Sequence, residues 1–139
     1  MNPYRQTLDQ EVLSADPVQL VLMLLKGARQ SVEQARRALH CGEVRERALA
    51  VSQAVERIAE LCRSLDPERG AEIAVRLAAL YDYMILRLNE ANAEQTESPL
   101  AEVSGLLAPL IDAWSELHAG AAGVMPPASP EMKPMDCVA

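Results

Sequence analysis

Between Val44 and Leu65 the apolar residues Val44, Ala48, Val51, Val55, Ile58, Cys62 and Leu65 recur at steps of four and three without a miss. An α-helix turns once in 3.6 residues, so this spacing gathers all of them on one stripe, whereas a strand would divide them between two faces. A stripe of that kind must be buried against another element, and a helix is the partner this chain repeats.

The same pattern occurs on either side. Asp16 is placed to cap a helix, Pro17 suits its first position, and Leu20, Met23, Leu24, Gly27, Ala28, Val32, Ala35 and Leu39 continue one apolar face until Gly42 ends it. Asp66-Pro67 and Gly70 mark the next turn. A third segment, about residues 71–93, carries Ile73, Leu77, Leu80, Met84, Leu88 and Ala91 with Ala74, Tyr81 and Ile85 beside them. That arc is too wide for a simple surface helix, so it is either central in the bundle or turned partly to a partner. Ser98-Pro99 starts a fourth segment with Val103, Leu106, Leu107, Leu110, Trp114 and Leu117 inward, and Pro109 predicts a bend near residues 105–109.

Short turns between helices of about 20 residues predict an all-α fold, an antiparallel four-helix bundle. Its expected organisation is an N-terminal arm over 1–15, the helical bundle over 16–118, and a disordered Pro-rich C-terminal tail over 119–139. With aromatics at 3% and no Phe, the core has to be built from Leu, Ala and Val.

A net charge of −7 with basic residues interspersed among acidic ones offers no field for a phosphate backbone, so no nucleic-acid partner is expected. Three cysteines without CxxC spacing indicate neither a disulfide framework nor a zinc site, and a reducing cytoplasm fits them best. Residues 1–10 have no apolar stretch of signal-peptide length and no run is long enough to span a bilayer, so no membrane insertion is expected.

Catalytic chemistry finds no support in the residues. Neither His40 nor His118 has a glutamate three residues before it, as a di-iron bundle requires. Cys41 and His40 are neighbours with no third orienting group, and the six glycines are scattered singly rather than gathered in a phosphate loop. No catalytic, cofactor or metal residue is assigned.

Surplus apolar residues carry the functional signal. Leu25, Leu49, Leu61, Ile85 and Leu86 fall off the main stripes, either as the edges of broad buried faces or as anchors of a groove that receives another helix. Tyr81 and Tyr83 cannot share a helix face, which leaves Tyr81 structural and Tyr83 the contact candidate. In the arm, Tyr4 is either an anchor or an aromatic at a frayed end, and Leu8 is one of the few large apolar groups beside it. The candidate client-binding residues are Tyr4, Leu8, Leu49, Leu61, Tyr83, Ile85 and Leu86.

Several blocks, in order, resemble the FliS family of flagellar secretion chaperones. They are Asn2-Pro3-Tyr4 with Gln6, Val12-Leu13-Ser14-Ala15 with Pro17, Leu20-Val21-Leu22-Met23-Leu24 with Gly27-Ala28, and Ser64-Leu65-Asp66 with Gly70 and Glu72-Ile73-Ala74. The most specific is Leu80-Tyr81-Asp82-Tyr83-Met84 followed by Arg87-Leu88 and Ala91-Asn92, and a last block holds Glu102-Val103, Leu106-Leu107, Leu110, Asp112 and Trp114. Pro109 and the tail after Ala119 depart from the family pattern.

The resemblance implies a cytoplasmic chaperone that binds the disordered C-terminal segment of flagellin, prevents premature polymerisation and assists type III export to the flagellum. It also implies contacts with the flagellar export gate and with other flagellar regulators, and an arm that lies in a client groove until displaced. The competing expectation is a structural helical module that forms a homodimer through its surplus apolar face.

Overall fold

A computed structural model describes residues 16–66, 68 and 70–122. The arm, with Tyr4 and Leu8, and the tail from 123 lie outside the described residues. Four helices follow one another: α1 Pro17–His40, α2 Val44–Arg63, α3 Ala71–Glu94 and α4 Ser98–Ala122. Each packs on its neighbours in a ring, α1 on α2 and α4, and α3 on α2 and α4. With turns this short, successive helices run antiparallel, the up-and-down bundle that the periodicity predicts.

Local chemistry sets the helix ends. The Asp16 carboxylate accepts the Gln19 N–H at 2.7 Å with Pro17 in the first turn, as expected of that pair. At the far end of α1, Gly42 takes φ 73°, and the N–H groups of Gly42 and Glu43 donate to the carbonyls of Leu39 and Ala38. That is a Schellman closure, which satisfies carbonyls the helix end leaves free. The end of α3 closes in the same way without a glycine: Gln95 sits at φ 56° and the Thr96 N–H reaches Ala91 O at 3.3 Å. Nothing in the sequence flags this turn, because glutamine rarely adopts the left-handed region.

The α4 helix differs from expectation at both ends. Helical bonding begins one residue early, with the Ala101 N–H on Glu97 O at 3.0 Å. The helix also continues past His118 to Ala122, through a run whose alanines favour it. It is helical on both sides of Pro109. Pro109 and Gly105, four residues apart, are both exposed, so the carbonyl that loses its usual donor opens towards water.

The core gathers Leu25, Val32, Ile58, Tyr81, Met84, Leu88, Leu100 and Leu107, all buried. On α2 the buried arc is rotated from the four-three stripe: Arg47, Ala50, Val51, Ala54, Ile58 and Leu61 are inside, while Val44 is exposed. The sequence stripe follows hydrophobicity. Actual burial follows where α1 and α3 lie, and small alanines on α1 and α2 let those axes come close. Cys62 is a free, half-buried thiol packed against the core, and burial pushes its pKa up. Cys41, beyond α1, is disulfide-bonded, a pairing that spacing along the chain did not suggest.

Each helix interface is bridged by an arginine. The Arg57 guanidinium donates to Ser31 Oγ across α1–α2 at 2.9 Å, and Arg29 to Ser104 Oγ across α1–α4 at 3.3 Å. Buried Arg47 donates to Asn92 Oδ1 across α2–α3 at 3.3 Å. Arg87 on α3 meets Glu102 on α4 at 2.6 Å. The partners on the first three are neutral, so what these arginines contribute there is register and a satisfied polar group more than ion pairing.

Candidate functional site

The wide arc of α3 is only partly used by the core. Ala74, Tyr81, Met84, Leu88 and Ala91 are buried, and burial holds the Tyr81 phenol up at about 12, with the nearby Cys62 adding to the effect. On the remaining sides Ile73 is 66% exposed and Leu86 56%, and Val75 and Tyr83 are also exposed.

The side of α3 turned to α4 forms a seam. Its upper end is closed by polar contacts: the Tyr83 hydroxyl donates to both carboxylate oxygens of Glu102 at 2.9 Å, and Arg87 Nε donates to the same group. A second Arg87 nitrogen meets Glu90 at 2.6 Å. The adjacent guanidinium, and then the phenol, lower the Glu102 carboxyl, while Glu102 in turn raises Tyr83.

Below that clasp the seam is apolar. Leu77 and Leu80 on α3 and Leu106 and Leu110 on α4 are half-buried and pack against the core. Ile73, one turn before Leu77, is exposed, and so is Leu117, two turns after Leu110, at 56%. The antiparallel course of α3 and α4 puts these two residues at the same end of the bundle. The result is a strip with a half-covered floor and an open apolar mouth, the kind of surface that takes a helix or an extended apolar segment by spaced anchors.

Placement of the expected candidates is uneven. Tyr83 and Leu86 stand one turn apart on the exposed part of α3, and Leu49 is exposed on the separate α2. Ile85 is half-buried against the core. Leu61 corrects the expectation: at 1% exposed it is core, because the buried face of α2 is rotated onto it, and no partner can reach it in this structure. Leu25, the other open case on α1, is likewise core. Sequence reasoning assigned Met23, Val44, Ile73 and Leu117 to inner stripes, and the structure leaves all four exposed. The signal for Ile73 and Leu117 is that each is the terminal member of its stripe, where the neighbouring helix stops giving cover.

Histidine chemistry adds nothing to this surface. His40 is exposed in the last turn of α1, and His118 has its Nδ1 buried without a hydrogen-bond partner. Among the described residues no group of three or more His, Cys, Asp or Glu side chains could hold a metal ion, and no helix is long and apolar enough to cross a membrane.

Known proteins resemble this chain in sequence along most of its length. The family model described as flagellar protein FliS matches residues 1–121. The flagellar secretion chaperone FliS of Salmonella typhimurium is 40% identical over 112 residues, covering 80% of this chain and 83% of the relative. The flagellar secretion chaperone FliSB of Pseudomonas aeruginosa is 37% identical over 115 residues, covering 82% and 91%. FliS of Bacillus subtilis is 32% identical over 115 residues, covering 83% and 85%. A family model that spans residues 1–121, together with relatives 37–40% identical over four-fifths of the chain, places this helical bundle in the FliS family of flagellar secretion chaperones.

Proposed function

We propose that this protein is a cytoplasmic chaperone for the disordered C-terminal segment of flagellin, which it holds unpolymerised and hands to the type III export gate of the flagellum. The observation that carries the reading is the α3–α4 seam, half-covered by Leu77, Leu80, Leu106 and Leu110 and open at Ile73 and Leu117, in a chain whose relatives are named flagellar secretion chaperones. A segment built to pack inside a filament exposes apolar anchors beforehand, and such a strip removes them from water.

No catalytic step belongs to this reading. Binding orders a floppy client and so loses about 2–5 kcal/mol of the gross interaction, which a long interface offsets. Tyr83 and Leu86 extend the contact surface along α3, Leu49 offers a second anchor on α2, and Tyr4 and Leu8 belong to the arm that the client displaces. Other flagellar regulators could engage the same strip.

Calorimetry with a peptide from the C-terminal end of the host's flagellin tests the proposal. A 1:1 complex with a negative heat-capacity change, weakened at least tenfold by Ile73→Ser with Leu117→Ser, is expected. Absence of peptide binding together with a concentration-dependent dimer would instead establish the self-associating module.

A further inference from the structure

We propose that residues 123–139 of this chain dock on the open end of the α3–α4 seam and compete there with an incoming client; the competition rests on reading that seam as the client site. The first ground is position. The α4 helix ends at Ala122, five residues beyond exposed Leu117, and at the end of the bundle where exposed Ile73 begins the α3 side of the seam. Whatever follows Ala122 leaves the fold beside the apolar mouth.

The second ground is reach. From Leu117 back to Glu102 the seam spans fifteen helical residues, roughly 22 Å at 1.5 Å per residue. Residues 123–139 number seventeen, and an extended chain of that length covers about 50 Å. The segment can therefore line the seam and still leave slack for a turn.

The third ground is chemistry. Val124, Met125, Met132, Met135 and Val138 are interleaved with Pro126, Pro127, Pro130 and Pro134. Those prolines lack the N–H needed to prolong α4 and favour an extended course. Methionine is unbranched and adaptable, which suits the irregular floor of a groove between two helices. Tethering adds the rest: a short flexible link gives an effective concentration in the millimolar range, so a contact too weak to hold a free peptide stays populated until a tighter ligand displaces it. The family match stops at residue 121, so the device is an addition of this chain to the shared bundle.

Methyl NMR on the full chain decides the docking, in reducing buffer so that the bond at Cys41 imposes nothing. The comparison is with the full chain carrying Met125→Ser, Met132→Ser and Met135→Ser. Docking is supported when the Ile73 and Leu117 methyl resonances move while those of buried Val32 and Ile58 stay in place. Unchanged Ile73 and Leu117 signals overturn it. So does a shift of those signals that follows protein concentration, which identifies a second copy, or one produced only by Tyr4→Ala with Leu8→Ala, which identifies the arm.

Competition is read by calorimetry with the flagellin C-terminal peptide: the substituted chain should bind several-fold tighter, and equal affinity overturns that part. A peptide that binds neither chain defeats the proposed client and the competition with it, while the methyl shifts still decide the docking on their own.

Discussion

Gly27 on α1 and Arg57 on α2 occupy one slot: a Cβ added at Gly27 would lie 2.8 Å from Arg57 Nε and 2.9 Å from its Cδ. The missing side chain is what lets the Arg57 stem lie across α1 and reach Ser31 Oγ at 2.9 Å. The glycine thus makes room for the Arg57 side chain, which a Cβ would push aside. Its backbone is ordinary helix, where glycine is otherwise a disadvantage.

Gly27→Ala should change stability by less than about 1 kcal/mol, since the Arg57 side chain can swing out of its slot, losing its bond to Ser31, while alanine gains helix propensity. In an Arg57→Ala background the same change should be neutral or stabilising by up to about 1 kcal/mol, because alanine favours helix over glycine. Urea denaturation of the four chains measures the coupling, and equal effects in both backgrounds would show that the slot is not shared.

Leu61 and Leu49 should part company. Leu61→Ala opens a cavity in the core and should cost about 2–5 kcal/mol. Leu49→Ala, on an exposed face, should change stability by less than about 0.5 kcal/mol. A mild Leu61→Ala would put that residue back among the surface candidates.

Stability should fall on the acid side in part through Glu102. The Arg87 guanidinium, then the Tyr83 phenol, hold this carboxyl below its usual range, so the unfolded chain takes up the proton at a higher pH than the folded one. The contribution is therefore complete above the ordinary carboxylate range, about pH 4.3, and is lost as pH falls through the lower folded value. Urea midpoints of Glu102→Gln and the unmodified chain should converge as pH drops from about 6 to about 3. A constant gap would mean that the clasp does not titrate with folding.

Gln95→Gly should stabilise the protein. A left-handed backbone costs an ordinary residue roughly 1–2 kcal/mol, and glycine returns part of that as unfolded-state entropy, for a net gain of about 0.5–1 kcal/mol. Thermal unfolding of the variant checks it, and a loss of stability would place the important contact in the glutamine side chain.

Much of the fold was legible because helices advertise themselves locally. Asp16 with Pro17 and Gly42 at positive φ each act within a few residues, and the structure uses both, while the stripe on α2 gave the helix but not its buried face. The site was less legible. Tyr83 and Leu86 were found because they fall off a stripe, yet Leu61 falls off its stripe too and is buried. Periodicity reports which side of a helix is apolar, and it does not report how far a neighbour extends over that side.

What the amino-acid sequence determined by itself is the helices and where most of them start and stop, consequences of interactions between residues close along the chain. Tertiary structure alone decided the rotation of the α2 core face onto Leu61, the slot shared by Gly27 and Arg57, and the uncovered end of the α3–α4 seam at Ile73 and Leu117. Those depend on how the axes of separate helices approach and where each one ends, and packing between distant segments sets both.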